Sequence, residues 1–389
     1  MNHGRTVFSQ IMEYVSHNEF NRCVDRYNGN KGVRQLTCWD QFLVMAFAQL
    51  TYRESLRDIA VCLNSRPSKL YHSGLSHIVK KSTLAEANEN RNWRIYADLA
   101  QSLIDVAREL YADADIGLDL DATVYALDST TIDLCLSLFP WAKFRKTKAA
   151  IKLHTLIEIH GSIPTFIDIT SGNSHDLNVL DILPIEPGAF IVMDRGYIDF
   201  TRLFTLHLSL GFFVIRAKDK LKFRRQFSHP IDKSSGVRSD QTIILTGQRA
   251  KNGYSLPLRR VTYYSIDQDK HYVFLTNNFG ITPLTVADLY RKRWLVELFF
   301  KWIKQHLRIK QFYGTSINSV KTQIWISISV YLLVAILKKR LGLNHSIHTI
   351  LQILSLTLFD KTPILSLFQG HADQIELPCP SNQLNLFDI

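Results

Sequence analysis

The sequence is poor in cysteine. Cys23, Cys38, Cys62, Cys135 and Cys379 are its five, odd in number and scattered over 389 residues. No two stand at zinc-ribbon spacing, so neither a disulfide framework nor a thiolate metal site is expected. A long hydrophobic run is also missing. The longest, from Ile324 to Leu337, covers 14 residues and contains Ser327 and Ser329. A bilayer-crossing helix needs roughly 20, so this run reads as a buried helix. The opening MNHGRTVFSQIMEYV lacks the continuous apolar core of a secretory signal. No internal repeat is present. The expectation is a soluble, intracellular protein of the cytoplasm.

Acidic residues are in deficit, 35 against 46 lysines and arginines, for a formal net charge of +11. Hydrophobic residues at 46% and charged residues at 21% exclude a wholly disordered chain. A folded basic protein is a candidate partner for nucleic acid. The surplus is concentrated. From Thr285 to Arg340 there are eleven basic residues and two acidic ones, Asp288 and Glu297, an excess of nine. Trp294, Trp302, Phe312 and Tyr313 interleave with them, a mixture suited to tracking DNA and equally to a solvated helix face over core aromatics. Lys143, Arg145, Lys146, Lys148 and Lys152 form a second cluster with no intervening acid, and six basic residues surround Asp219 between Arg216 and Arg225.

Residues 1–115 read as a helical domain. Asp40–Leu50 and Glu54–Leu63 have helical apolar spacing, and Ser82 to Glu86 suggests a capping box before a helix through Tyr111. Strand signals follow at Thr123–Leu127, Lys152–His160, Pro164–Thr170, Ala189–Met193 and Phe212–Ile215, with a hairpin at Gly161–Ile163. A β-rich insertion is expected over 219–284, with a turn at Asn252-Gly253. From Leu284 the chain reads as helical again to about Leu358, and 361–389 as a flexible Pro-containing tail. The simplest architecture is a mixed α/β core, 116–218 and 285–360, interrupted by an all-β insertion.

Two aspartates close strand-like runs: Asp128 ends VYALD, and Asp194 ends FIVMD before Arg195-Gly196-Tyr197. A carboxylate beside a buried strand must be hydrogen-bonded or bind a cation; capping or turn formation would also satisfy it. The third acid lies in a helix-patterned stretch. At about 100° per residue, Tyr290, Arg293, Glu297 and Lys304 fall within an arc of ~60°, with Trp294, Leu295, Leu298, Phe299 and Trp302 opposite. A salt-bridged surface helix through Arg293 and Glu297 fits this spacing too. Three carboxylates brought together could hold two Mg²⁺ ions, which activate a water or 3′-hydroxyl and stabilise a leaving oxygen. Oxygen ligands alone suit Mg²⁺ or Mn²⁺. His154, Asp168, Asp133 and the His175-Asp176 pair read as structural.

The pattern Tyr-x2-Arg-x3-Glu-x6-Lys, met by Tyr290, Arg293, Glu297 and Lys304, resembles the YREK signature of DDE transposases of the insertion-sequence-four group. LDST around Asp128 and VMDRGY around Asp194 resemble that group's two aspartate motifs. Leu50–Leu75, with Ser82–Arg91, resembles the N-terminal domain many such transposases carry. The resemblance implies a ribonuclease-H-like core with Asp128, Asp194 and Glu297 as catalytic metal ligands. Tyr290, Arg293, Lys304, Lys301, Arg291, Lys292, Arg195, Lys146 and Lys148 would bind DNA. It also implies cutting at element ends, joining of the 3′-hydroxyl to a target, a homodimer synapsing two ends, and terminal-repeat binding by the N-terminal domain. There, Glu54–Leu63 with Arg66–Tyr71 suits either a helix-turn-helix-like reader or a dimerisation module. Gln383, Leu384, Leu386 and Phe387 in the tail resemble the peptide by which bacterial proteins dock on the replication sliding clamp, though an apolar tail folded on its own domain fits as well. A structure-specific nuclease on the same core and a catalytically silent DNA-binding derivative remain the alternatives.

Overall fold

The computed structural model describes residues 4–65, 71–75, 77–306 and 312–369. Among them the chain begins with helices α1 (Val7–Met12), α2 (His17–Arg26), α3 (Cys38–Leu50), α4 (Leu56–Asn64), α5 (Lys81–Asn90) and α6 (Arg94–Tyr111). Thr37 starts α3 with a capping box: its Oγ1 accepts from Asp40 N at 3.1 Å, and the Asp40 carboxylate accepts from Thr37 N at 2.7 Å. The box expected at Ser82–Glu86 is not used. Helix α5 starts one residue earlier, at Lys81, and Lys80 before it makes no capping bond. The helix predicted through Tyr111 also breaks at Arg91, whose guanidinium is drawn 2.8 Å from the Thr37 carbonyl at the start of α3. The described cysteines Cys23, Cys38, Cys62 and Cys135 are free thiols.

The strands are β1 (Val124–Leu134), β2 (Lys143–Arg145), β3 (Lys148–Glu158), β4 (Ile163–Ser171), β5 (Phe190–Met193), β6 (Phe212–Arg216), β7 (Phe223–Ser228), β8 (Val237–Leu245), β9 (Leu258–Ser265) and β10 (Lys270–Thr276). All ten belong to one sheet, ordered β2-β3-β1-β5-β6-β10-β9-β8-β7, with β4 also paired to β3. Strand β1 is antiparallel to β3 and parallel to β5, which is parallel to β6. The β3–β4 turn needs Gly161 at φ +70°, where an added Cβ would come within 2.4 Å of the Tyr111 ring. Residues 219–284 continue the same sheet, because β10 pairs antiparallel with β6. They also include a short helix, α8 (Gln248–Gly253), in place of the turn predicted at Asn252-Gly253. It packs against α7 (Phe200–Leu208): a Cβ on Gly253 would meet Thr201 N at 2.9 Å.

Strand alternation sorts the core into two faces. Ile191, Met193, Phe213, Ile215 and Leu275 cluster with Leu203 and Leu206 of α7. Phe190, Val192, Val214 and Phe274 point the other way, onto Val286 and Leu289 of α9 (Pro283–Lys292). Helix α10 (Trp294–His306) follows α9 on that side, and α11 (Ile317–Arg340), α12 (Ile347–Thr357) and α13 (Ile364–Gln369) close the chain. Among the described residues α11 alone is long and apolar enough to cross a membrane, and it is buried over most of Ser319–Leu337, as its sequence predicts.

The head and the closing helices share one hydrophobic cluster. Backbone and side-chain bonds stitch them: Val7 N to Asp360 O at 2.9 Å, Gln10 Nε2 to Thr362 O at 2.7 Å, Asn318 Nδ2 to Asn88 O at 2.9 Å and Tyr111 Oη to Ala335 O at 2.9 Å.

Strands β8 and β9 are held by a buried bidentate pair. Arg259 Nε and Nη2 donate to the Asp240 carboxylate at 2.9 and 2.7 Å, with the side chains 6% and 3% exposed. The remaining Nη1 donates to Ile281 O at 2.6 Å, anchoring the approach to α9. Asp240→Ala would strand a buried guanidinium, and a loss of about 3–5 kcal/mol is expected from urea denaturation; a midpoint within error of wild type would refute this.

Candidate active site

Asp128 lies mid-strand, not at the strand end that the sequence predicts. Strand β1 continues to Leu134 because its ladder with β3 persists from Asp128–Thr155 to Leu134–Ala149. Alternation gives Asp128 the parity of Val124 and Ala126, so it faces α9 and α10. Asp194 directly follows β5 with the parity of Phe190 and Val192, on the same face, and its carbonyl accepts from Tyr197 N at 3.0 Å in the short turn Arg195–Tyr197, leaving the carboxylate free of any capping bond. Leu127 and Met193 are register partners on the parallel strands, so the two aspartates stand side by side, one strand spacing of about 4.8 Å apart.

Glu297 approaches from the helix side. The helix predicted as continuous is tightened at Arg293, where Arg293 N bonds Tyr290 O at 3.1 Å and Val296 N bonds Arg293 O at 3.2 Å, three residues apart rather than four. The face is preserved through the break. Tyr290 Oη donates to Asp194 Oδ1 at 3.0 Å, and Arg293 Nη1 to Asp128 Oδ2 at 2.8 Å. The Arg293 Nη2 group is hydrogen-bonded to Glu297 Oε1, and the guanidinium lies 5.8 Å from the Tyr290 ring centroid. Tyr290 and Arg293 thus bind all three acids. Lys304, two turns or about 10 Å beyond Glu297, is exposed and joins none of these contacts.

Burial dominates the protonation balance of the site. Burial pushes the Asp128 carboxyl up to about 6; Arg293 and the Ser129 N–H oppose this, while Glu297 and Asp194 add to it. Burial and then the Asp194 charge raise the Tyr290 phenol. Burial alone would lower Arg293, but Asp128, Tyr290 and Glu297 outweigh it and keep the guanidinium charged. Among the described residues no three His, Cys, Asp or Glu side chains converge as a ready metal cage; Arg293 stands between two of the acids.

The core face of α10 differs from the expected one. Val296, Phe299, Phe300 and Ile303 are buried, whereas Trp294 and Leu298 are 47% and 37% exposed. Arg291 is exposed, 3.0 Å from Asp288, and donates to Tyr263 Oη at 3.2 Å. Lys301, Arg195, Lys146 and Lys148 are exposed and Lys292 half-buried. His175 caps the turn after β4 by accepting from Leu177 N at 3.2 Å. Asp176 does more than the structural role read for it, since it accepts from Ser129 Oγ at 2.8 Å; Ser129 is placed on that side by the long-range pairing of β1 with β3, where it lies opposite His154. Gln383, Leu384, Leu386 and Phe387 lie outside the described residues, as do Arg66–Leu70.

Residues 119–333 match the model of the family described as transposase DDE domain. The chain belongs to this DDE transposase family. The matched span runs from just before β1 into α11 and includes Asp128, Asp194 and Glu297, while residues 3–76 match a domain of unknown function (DUF4372). A provisionally named transposase of Sinorhizobium fredii, y4zB, is 31% identical over 77% of this chain and 81% of its own length. A similarly named transposase for insertion sequence element IS5377 of Geobacillus stearothermophilus is 31% identical over 53% of this chain and 54% of its own. A solved piggyBac transposase synaptic complex with hairpin DNA aligns at a TM-score of 0.48 and 10% identity, covering 94% of this chain and 82% of that one.

In this DDE transposase the Asp128–Arg293 pair is 21% and 17% exposed, buried enough for its loss to be felt. Arg293→Met is expected to cost about 3 kcal/mol at pH 7.5 in metal-free buffer. A carboxyl raised from its ordinary value favours the folded protein when protonated, so that contribution is full below about pH 4 and is lost as pH rises through about 6. The deficit of the variant should therefore shrink as pH falls from 7 to 5. Thermal melts that keep the same difference across that range would contradict the pairing.

Proposed function

We propose that this DDE transposase belongs to the insertion-sequence-four group and cuts DNA at the ends of its element, then joins the freed 3′-hydroxyl to a target. The observation that carries the reading is the gathering of Asp128, Asp194 and Glu297 on one sheet face through Arg293 and Tyr290, the arrangement expected of the YREK signature. The strand order β4-β3-β1-β5-β6, three antiparallel then two parallel, supports a ribonuclease-H-like core.

The donor set fits a hard divalent cation: two aspartates and a glutamate, all oxygen, in a half-buried place where burial and mutual repulsion already push Asp128 up to about 6. Asp128, Asp194 and Glu297 would hold Mg²⁺, with Mn²⁺ able to substitute, and bound there it would activate a water or 3′-hydroxyl and stabilise the leaving oxygen. Arg293 and Tyr290 hold the carboxylates in orientation. The exposed cations Lys301, Lys304, Arg195, Lys146 and Lys148, with Arg291 and Lys292, supply phosphate contacts that carry register along the duplex. The helical head, residues 1–115, would bind the terminal repeats and pair two copies in a synapse. The strands within 219–284 are the group's insertion, and the protein works at the nucleoid. Asp128→Asn should abolish cleavage of an inverted-repeat duplex in Mg²⁺ while leaving its gel-shift affinity unchanged. Full cleavage by that variant, or cutting by wild type in chelator, would sink the assignment.

The tail reading is separate. Gln383, Leu384, Leu386 and Phe387 are proposed to dock on the replication sliding clamp, the leucines and phenylalanine filling an apolar pocket and the glutamine bonding at its rim. Removing residues 383–389 should eliminate retention on immobilised clamp; equal retention would exclude the site.

A further inference from the structure

On the face of β1 opposite Asp128 lies a second polar group that the site described above does not use. Alternation turns Ser129 away from Asp128 and toward Lys152 and His154 of β3, where Ser129 and His154 are register partners. Ser129 nevertheless touches both sides. Its backbone N–H donates to Asp128 Oδ1 at 2.8 Å, and its Oγ donates to Asp176 Oδ1 at 2.8 Å. Asp176 comes from the turn after β4, and the same oxygen is 3.1 Å from Lys152 Nζ. Lys152, only 14% exposed, also donates to Ser174 O at 2.8 Å, closing the loop onto the strand. His154, 1% exposed, stands 3.9 Å from the same carboxylate and is kept neutral by burial, with its Nε2 against Thr170 Oγ1 at 3.0 Å. Tyr197, three residues beyond Asp194, is buried against this side of the sheet.

We propose that Asp176, held by Lys152, is a positioning residue for Asp128: it grips Ser129 from behind the sheet so that the Ser129 N–H stays on the Asp128 carboxylate. The chain of contacts runs Lys152, Asp176, Ser129, Asp128 without a gap. A carboxylate that must work against the repulsion of two neighbours needs one oxygen fixed, and at Ser129 the strand is paired on the β3 side only, because its ladder with β5 ends at Leu127–Met193. Charge-assisted bonds to Asp176 on two sides make it the stiff member of that chain, and Ser129 passes the constraint to the other face. This inference rests on the assignment of Asp128 to the reacting centre.

The test compares wild type, Ser129→Ala, Asp176→Asn, the double variant and Ser129→Thr in the full chain. Single-turnover cleavage of the inverted-repeat duplex at saturating protein should slow about 10- to 100-fold in each single variant, with gel-shift affinity for the DNA within about twofold of wild type. The double variant should be no slower than Asp176→Asn, because both changes cut the same chain of contacts. Ser129→Thr, which keeps the hydroxyl, should recover most of the rate. Independently of turnover, calorimetric binding of Mn²⁺ to the DNA-free protein should weaken by a similar factor in Asp176→Asn and Ser129→Ala. Should Asp176→Asn fail to fold, Ser129→Ala removes one hydroxyl and decides the matter by its rate and its Mn²⁺ affinity. Wild-type rates and Mn²⁺ affinity in folded variants, or losses that multiply in the double variant, overturn the proposal while leaving the transposase reading standing. A wild type that does not cut overturns that reading, and this inference with it.

Discussion

Repulsion between carboxylates is the constraint around which the molecule is arranged. Asp128 and Asp194 are neighbours on parallel strands, and Glu297 is lowered onto them by a helix. Such a group is held together only if cations are built in beside it, and Arg293 meets that need by spanning Asp128 and Glu297. The cost is divided with the phenol of Tyr290 on Asp194. Much of the rest serves to keep this crowded place rigid: a sheet that supplies both aspartates from one plane, a long buried helix behind α10, and the Arg259–Asp240 pair that fixes where α9 begins.

The two faces of the sheet do different work. One is apolar and closes over α7 and α8, with a buried polar chain at Ser129 and Asp176; the other takes the helix that carries the acid. Because β1 alternates strictly, adjacent residues Asp128 and Ser129 belong to different faces yet share one peptide unit. A strand in the middle of a sheet is for this reason a stiffer base for a reactive carboxylate than a loop would be. Continuation of the sheet through β10 into β7–β9 extends the same rigid surface beyond the aspartates.

Much of this is legible in the sequence because it is local. The arc of Tyr290, Arg293 and Glu297 follows from helical periodicity, and the placement of Asp194 follows from a four-residue apolar strand with an abrupt polar end. What was hidden depends on long-range partners. Strand β1 outruns its apolar stretch because β3 pairs with it through Leu134, so Asp128 is central and not terminal. The exposure of Trp294 runs against its apolar character, which no apolar count reveals. Asp176 has the appearance of a turn former until strand β1 brings Ser129 beneath it. The single helix predicted from Ser82 through Tyr111 is broken because Arg91 is drawn to α3, a competitor some 50 residues earlier in the chain.

The shared core of head and closing helices carries a consequence for how the chain is made. Helices α1, α3, α5 and α6 pack on α11, which begins at Ile317, and α1 is bonded to Asp360. At ribosomal speeds of about 5–20 residues per second, the head emerges roughly 10–40 seconds before the helix that completes it. For that interval it is an unfinished fold with exposed leucines and phenylalanines, and a chain that stops short of α11 never leaves that state. Synthesis of the stretch from Ile317 onward is thus the step that commits the whole protein, its first helices included, to a folded form.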